Sequence, residues 1–137
     1  GGAQLPSPPN MLYRGQVMHE DIPLFLNASD VFVLPTLAEG CCNAIIEAMA
    51  CGLPIISSDL PFNWDVLDSS NSILIDPSSI TQISEAIIKV KDDELLRERL
   101  SEGALKTAQS LTIDRRASNI LSFIKKRCEK IDNKLNY

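Results

Sequence analysis

The stretch from residue 35 to residue 54, PTLAEGCCNAIIEAMACGLP, constrains the fold more than any other part of the sequence. It follows the apolar run Val31–Leu34, which is typical of a strand in a parallel sheet covered on both faces. A loop then leads into a predicted helix, Cys41–Ala50, because Gly52 is placed to end it and Pro54 prevents its resumption. A strand, a Gly-containing loop and a helix N-terminus form a place where backbone N–H groups meet an anion.

Two carboxylates mark this stretch, Glu39 in the loop and Glu47 on the predicted helix. An ionised carboxylate accepts hydrogen bonds from two neighbouring hydroxyl groups of a sugar at once. Glu39 follows the carboxyl end of a strand, where open α/β sheets bind ligands. With a rise of about 1.5 Å per residue, Glu47 lies roughly 9 Å along the helix axis from Cys41. Glu47 is therefore about two turns into the predicted helix.

Size and composition predict a single domain. The chain has 137 residues, of which 45% are apolar and 23% charged, as is ordinary for a globular chain. No apolar run approaches the roughly 20 residues of a transmembrane helix, and no secretory signal pattern is recognisable, so a cytoplasmic location is expected. The four cysteines lack zinc-ligand spacing, and we expect reduced thiols and no bound metal.

The charge is unevenly distributed. Residues 1–112 hold 6 basic and 15 acidic side chains, whereas residues 113–137 hold 7 basic and 3 acidic ones. The acidic body argues against nucleic-acid binding, which relies on basic residues that neutralise phosphates. The basic run Lys125–Arg127 lies on an amphipathic helix and has two interpretations, a peripheral contact with anionic lipid or a solvated helix face. We favour the solvated face, with membrane association of a longer protein as the alternative.

Alternation of apolar runs with amphipathic segments predicts an α/β fold, a Rossmann-like parallel sheet with helices on both faces and further C-terminal helices. The predicted strands are Met11–Val17, Val31–Leu34, Pro54–Ser58 and Ile73–Ile75. The predicted helices are Ile22–Ala28, Cys41–Ala50, one that starts at a Ser79–Gln82 capping box, one over Asp93–Ser110 and one that follows Thr112. The segment 59–70 is predicted to be a loop with one helical turn.

Apolar periodicity predicts the buried faces of two of these helices. On the helix that follows Ser79 the apolar face comprises Ile80, Ile83, Ile87 and Val90. On the last helix the apolar stripe comprises Ile113, Ala117, Ile120, Leu121, Ile124, Cys128 and Ile131.

The spacing Glu39-x7-Glu47, within LPTLAEGCCNAIIEAMACGLPIISSD, resembles the E-x7-E motif of family 4 glycosyltransferases. These are retaining enzymes of the GT-B fold that use nucleotide-sugar donors. Two glutamates at this spacing alone are weak evidence, so the surrounding segments carry the resemblance. These segments are residues 27–36 before the motif, residues 47–50 within it and residues 52–57 after it.

The resemblance implies that residues 1–137 form one nucleotide-sugar-binding domain, the C-terminal part of a GT-B glycosyltransferase. The family's Rossmann-like domain usually has more than four strands, so we expect its first strands and the acceptor-binding N-terminal domain to be missing from this chain. The initial Gly1-Gly2 also indicates a fragment or a processed chain. The family's basic contacts to the diphosphate come from the upstream part, so the fragment alone is expected to be inactive.

The resemblance also assigns roles to residues. Glu39 is the catalytic residue, because in the family this glutamate contacts the transferred sugar and stabilises the charge that develops at the anomeric carbon. Glu47 is assigned to the ribose. Backbone amides at the helix start are assigned to the sugar and the diphosphate, and a loop after another predicted strand is assigned to the nucleobase. The residues of these two groups are Gly40, Cys41, Cys42, Asn43 and Ala44 for the first, and Gln16, Val17 and Met18 for the second.

The implied reaction transfers a sugar from a nucleotide diphosphate to an acceptor sugar or lipid-linked glycan, with retention at the anomeric carbon. Helix amides and cationic side chains stabilise the leaving diphosphate in such a site. The resemblance implies no metal and no cofactor besides the nucleotide-sugar substrate, and polysaccharide biosynthesis as the process. The base and sugar of the donor, the acceptor, the linkage and the oligomeric state stay open.

Other classes of protein remain as alternatives. The chain is also compatible with a degenerate, non-catalytic GT-B-like domain, or with another GT-B enzyme such as a nucleotide-sugar 2-epimerase. A receiver-type signalling module fits poorly, because Asp30 precedes its strand instead of following it. Cys41 and Cys42 also depart from the family, in which an aromatic residue often stands at the first position and Gly or Pro at the second. Trp64 is expected to pack a loop onto the domain, or else to line an acceptor path.

Overall fold

The computed structural model describes residues 15–38 and 43–135. Its elements in chain order are a 3-10 helix (His19–Asp21), α1 (Ile22–Asn27), β1 (Phe32–Leu34), α2 (Asn43–Ala50), β2 (Ile55–Ser58), β3 (Ser72–Ile75), α3 (Ile80–Asp92), α4 (Glu94–Ser110) and α5 (Ile113–Leu135). The predicted strand Met11–Val17 lies largely outside the described residues, and residues 15–18 belong to no helix or strand. Each remaining predicted helix or strand is present.

The three strands form a parallel sheet in the order β1-β2-β3. Phe32 of β1 aligns with Ile55 of β2, which in turn aligns with Ser72 of β3. All residues of the central strand β2 are buried. The connection from β2 to β3, residues 59–71, consists of turns and not of a regular helix, as predicted.

One face of the sheet packs against α2. Ile55 of β2 forms a buried cluster with Ile45 and Met49 of α2 and with Ala104 of α4. Ile45 and Met49 lie four positions apart in sequence, which places them on one side of the helix.

The opposite face packs against α3. Ile56 points away from Ile55, because successive side chains of a strand alternate between the two faces. It forms a second buried cluster with Ala86 and Val90 of α3 and with Leu100 of α4. Helix α4 therefore contributes to both clusters, and helices cover both faces of the sheet, which confirms the predicted fold class.

The predicted apolar face of α3 is partly wrong. Ile83 and Val90 pack in the second cluster as predicted, but Ala86 lies between them in the core. Ile80 is 84% exposed and Ile87 is 38% exposed. Ile80 is the first residue of α3 and extends past the packed surface. Periodicity identifies a helix face but not how far the opposing surface extends along it.

Gly52 ends α2 as predicted, and a side-chain cap that was not predicted begins α4. Gly52 has a φ of +75° and follows α2. Its N–H donates to Met49 O (3.0 Å), and the N–H of Leu53 donates to Ala48 O (3.1 Å), which is the hydrogen-bond pattern of a Schellman motif. At the start of α4, Asp93 accepts from the N–H of Leu96 at 2.9 Å.

The predicted capping box of α3 is only half formed. Ser79 Oγ accepts from the N–H of Gln82 at 3.3 Å, as a capping box requires. The Gln82 side chain, however, accepts from the N–H of Asp76 at 2.8 Å. It therefore ties α3 to the residue that directly follows β3.

Helix α5 presents an exposed apolar surface. Ile120, Leu121, Phe123 and Ile124 are between 50% and 61% exposed. The predicted stripe is thus on a helix as expected, but the described part of the chain does not cover it. None of the described helices combines the length and apolar character needed to cross a bilayer.

Candidate functional site

The three parallel strands end at one edge of the sheet. β1, β2 and β3 end at Leu34, Ser58 and Ile75. Because the strands are parallel, these residues lie at the same edge of the sheet, the edge at which open α/β folds bind ligands. The loop that follows β1 leads from this edge to the N-terminus of α2.

Helix α2 places a carboxylate one turn from its exposed N-terminal end. Asn43 and Ala44 are exposed, whereas Glu47 is half-buried at the margin of the buried face. Residues four positions apart lie on the same side of a helix, about 6 Å apart along its axis. Asn43 and Glu47 therefore share one side of α2. A helix N-terminus carries unsatisfied N–H groups and the positive end of the helix dipole, so this side suits a ligand with an anionic part and a hydroxylated part.

Of the other predicted donor-site residues, only Gln16, Val17 and Met18 are described by the structure. Glu39, Gly40, Cys41 and Cys42 lie outside the described residues, so their assigned roles stay predictions. In the segment 16–18, Gln16 and Met18 are exposed and Val17 is half-buried. This segment leads into the 3-10 helix, whose Asp21 N–H donates to Met18 O at 2.9 Å. No hydrogen bond among the described residues joins this segment to α2.

A buried polar network at the end of β2 fixes the start of the loop that follows β1. Ser57 Oγ donates to Leu34 O at 2.8 Å, and Ser58 Oγ donates to Thr36 O. Asn63 Nδ2 donates to Ser58 O at 2.8 Å and to Ser57 Oγ at 3.2 Å. This network was not predicted from the sequence. The sequence feature that marks it is a pair of serines, Ser57 and Ser58, at the end of an apolar strand. This pair does not indicate which residues the hydroxyl groups contact.

One of the two expectations for Trp64, that it packs a loop onto the domain, is wrong. Its side chain is 58% exposed, and its Nε1 donates to Asp59 Oδ1 at 2.8 Å. This bond holds the ring at the surface beside the residue that directly follows β2. A pocket of about 310 Å³ lies here, between the ends of β2 and β3, and Asp59, Asp76 and Gln82 are among its lining residues.

The described residues contain no cluster of three or more His, Cys, Asp or Glu side chains placed to hold a metal ion. The one resolved pKa shift among them lies away from the site. The hydroxyl of Ser70, and then its N–H, hold the pKa of Asp68 below the ordinary 3.8. Asp68 belongs to the connection between β2 and β3, so this shift concerns the stability of that connection.

Comparison with solved structures supports the fold. Sucrose-phosphate synthase from Thermosynechococcus elongatus superposes with a TM-score of 0.71 and 24% sequence identity. The match covers 85% of this chain and 30% of that protein. At this level of identity the likeness concerns the fold alone.

Curated relatives are bacterial sugar transferases. The chain is 43% identical over 77 residues to a UDP-Gal:alpha-D-GlcNAc-diphosphoundecaprenol alpha-1,3-galactosyltransferase of Escherichia coli, a match over 56% of this chain and 20% of the relative. It is 31% identical over 100 residues to the O-antigen chain mannosyltransferase B of Escherichia coli, over 73% of this chain and 26% of the relative. The chain thus spans about a quarter or less of the length of these relatives.

A family model, Glycosyl transferases group 1, matches residues 3–107. The match includes the sheet, α2 with Glu47, and nearly all of α4. The chain therefore belongs to the glycosyl transferases group 1 family.

Proposed function

We propose that this chain is the donor-binding part of a retaining, family 4 glycosyltransferase that transfers a sugar from a nucleotide diphosphate to an acceptor glycan. The observation that carries the proposal is the position of Glu47, half-buried one turn from the exposed N-terminus of α2. Membership of the glycosyl transferases group 1 family supports it. The N-terminal domain of the enzyme would belong to a longer protein.

In this proposal the N-terminus of α2 binds the diphosphate. Backbone N–H groups of the first turn, at Asn43 and Ala44, donate to the phosphate oxygens together with those of residues 40–42. They also stabilise the charge that accumulates on the diphosphate as the bond to the sugar breaks. Gln16, Val17 and Met18 line the nucleobase through main-chain groups.

The two glutamates bind hydroxyl groups. Glu47 accepts hydrogen bonds from the ribose hydroxyls, which lie about one helical turn beyond the phosphates. Glu39 accepts from hydroxyls of the transferred sugar and stabilises positive charge at the anomeric carbon. The polar network of Ser57, Ser58 and Asn63 acts indirectly, because it fixes Thr36 at the start of the loop that carries Glu39.

Names of relatives indicate which donors to test first. One relative is described as using UDP-Gal, and another, 25% identical, as GDP-mannose-dependent. Both donors share the diphosphate and the ribose, which are the parts that we assign to α2. The α2 contacts are therefore compatible with either base.

The test is titration calorimetry with UDP-galactose and GDP-mannose. Substituting Glu47→Gln removes the negative charge and keeps the shape of the side chain. We expect about a tenfold or larger loss of affinity, since a hydrogen bond to a charged group contributes roughly 1.5–3 kcal/mol. Glu85→Gln, at an exposed position on α3, is the matched control and should bind normally.

Equal affinity of Glu47→Gln and the unsubstituted chain would contradict the ribose assignment. Failure of every nucleotide sugar to bind to the longer protein would favour the degenerate, non-catalytic alternative. Retention is tested separately, by the anomeric configuration of the product that the longer protein forms.

A further inference from the structure

The pocket at the ends of β2 and β3 carries chemistry that the proposed donor site does not use. Its volume is about 310 Å³, at the lower end of the roughly 300–1,000 Å³ of small-molecule sites. It adjoins the carboxyl edge of the sheet, because Asp59 directly follows β2 and Asp76 directly follows β3. A hydrogen bond from the N–H of Asp59 to Ile75 O at 2.8 Å joins Asp59 to the residue that precedes Asp76.

The polar groups of this pocket match hydroxyl groups. Asp59 Oδ1 accepts from Trp64 Nε1, Asp76 Oδ1 accepts from the N–H of Ser78, and Gln82 Oε1 accepts from the N–H of Asp76. The second oxygen of each carboxylate and the Nε2 group of Gln82 take part in no hydrogen bond among the described residues. The pocket therefore offers carboxylate acceptors and an amide donor, and a sugar hydroxyl both donates and accepts.

Trp64 provides a fixed apolar surface beside these polar groups. Its ring is 58% exposed and is held through Nε1 by Asp59, which itself lines the pocket. The preceding residue, Asn63, is buried and bonded to Ser57 and Ser58, so the backbone that carries the ring is anchored. A flat aromatic ring with its polar end satisfied suits the C–H face of a sugar, which is apolar on one side and hydroxylated at its rim.

The charge of the pocket selects against anions. Its lining residues include two carboxylates, Asp59 and Asp76, and no basic side chain. An anionic ligand in the pocket would be repelled by these two negative charges. A phosphate or a uronic acid would therefore bind poorly. A neutral sugar uses the carboxylates as hydrogen-bond acceptors without that repulsion.

The pocket lies next to the place where the transferred sugar is expected. Neighbouring strands are about 4.8 Å apart, so the ends of β2 and β3 lie roughly 5–10 Å from the end of β1. We propose that this pocket, with the exposed ring of Trp64 next to its lining residue Asp59, binds a neutral sugar ring of the acceptor. This inference rests on the proposed function, because it takes the loop that follows β1 as the donor-sugar site.

Trp64 is the chain's one tryptophan and donates a hydrogen bond to Asp59 of the pocket lining, so its fluorescence should respond to binding there. We would titrate the 137-residue chain with the methyl glycosides of galactose, mannose and N-acetylglucosamine, with glucuronate and with calcium chloride. We expect a saturable change with at least one neutral glycoside.

Asp76→Asn should weaken that binding about tenfold. Asp65→Asn, an exposed neighbour of Trp64 outside the pocket lining, should leave it unchanged, and circular dichroism checks that both variants are folded.

The inference would be overturned if no neutral glycoside changed the fluorescence, or if Asp76→Asn and Asp65→Asn bound the glycoside equally. The same fluorescence change with calcium chloride would also overturn it, because that result would indicate a cation site. Repeating the titration with UDP-galactose or GDP-mannose present tests the assignment to the acceptor. Persistence of the response supports that assignment, and its loss would assign the pocket to the donor sugar. Nucleotide-sugar binding and its dependence on Glu47 are measured independently, so failure of this inference is distinguishable from failure of the proposed function.

Discussion

At the scale of single residues, one buried amide determines the shape of the connection between β2 and β3. Asn71 is 1% exposed. Its Oδ1 accepts from the N–H of Asp68 at 3.0 Å, and its Nδ2 donates to Val66 O at 3.0 Å and to Thr107 Oγ1 of α4 at 3.1 Å. One side chain therefore satisfies buried groups of the turn and ties the turn to α4.

Asn71→Ala should destabilise the fold by about 2–4 kcal/mol, because it leaves the partners of a buried amide without hydrogen bonds. Urea unfolding monitored by circular dichroism measures the change. Asn27→Ala is the control, since Asn27 is exposed and donates only to Pro23 O at the surface. A loss no larger than that of the control would contradict this role of Asn71.

The contact between Ser70 and Asp68 predicts a small dependence of stability on pH. The Ser70 hydroxyl donates to Asp68 Oδ1 and is the first cause of the lowered pKa of Asp68. A carboxyl group whose pKa is lowered in the folded state stabilises that state above its unfolded pKa, and the contribution disappears as pH falls through the folded pKa.

Ser70→Ala should therefore lower the free energy of unfolding at pH 7 by less than about 1 kcal/mol, since the pair is exposed. The difference from the unsubstituted chain should vanish well below pH 3.8, the ordinary pKa of this carboxyl. Thermal unfolding at several pH values measures it. Ser110→Ala removes a hydroxyl that donates to a backbone carbonyl, Thr107 O, so its effect should not vary with pH. A pH-independent effect of Ser70→Ala would refute the argument.

At the scale of elements, α4 packs unusually close to the connection between β2 and β3. A Cβ atom at Gly103 would lie 2.1 Å from Ser70 O. Arg99 of α4 also donates to Ser69 O at 2.9 Å. The glycine is thus required by close approach of the backbone to the helix, not by its own φ angle.

Gly103→Ala should destabilise the chain by about 1–3 kcal/mol, the usual cost of overpacking. In an uncrowded helix the same substitution stabilises by up to about 1 kcal/mol, so the sign of the change tests the packing. Gly52→Ala is the comparison, because its Cβ would meet only side-chain atoms at 3.4 Å and its cost comes from a φ of +75°. Urea unfolding measures both variants, and a stabilising Gly103→Ala would disprove the close approach.

At the scale of the whole molecule, α5 leaves an apolar surface that the described residues do not cover. Ile120 and Ile124 are 53% and 50% exposed, and Leu121 and Phe123 lie beside them with about 60% exposed. A contiguous exposed apolar surface promotes association. The described basic side chains of α5 include Arg127, whose guanidinium lies 5.5 Å from the centre of the Phe123 ring.

We expect the chain to self-associate through α5 as its concentration rises. The double substitution Ile120→Gln with Ile124→Gln should weaken this association at least several-fold. It should leave the thermal unfolding temperature of the chain almost unchanged, because both side chains are exposed. Sedimentation velocity measures the association. Lys125→Gln with Lys126→Gln, on the same helix, is the matched control, and equal effects of the two pairs would exclude an apolar contact.

Local sequence was sufficient for most of the described helices and strands. Gly52 and Ser79 were recognisable as caps from the sequence because a cap depends on residues within one turn of the helix end. The exposure of Ile80 and of Trp64 was not recognisable. Whether a side chain is covered depends on elements that are remote in sequence, and periodicity gives only its direction.

Sequence alone determined the alternation of strands and helices, the parallel sheet, the spacing Glu39-x7-Glu47 and membership of a sugar-transferring family. These depend on local pattern and on a motif contained in one stretch of chain. Only the tertiary structure decided that Ser57, Ser58 and Asn63 fix the start of the loop that follows β1, and that Asp59 and Asp76 meet at one pocket, with Trp64 bonded to Asp59. Their partners lie on different strands and turns, and parallel pairing brings them to one edge through contacts that no local pattern encodes.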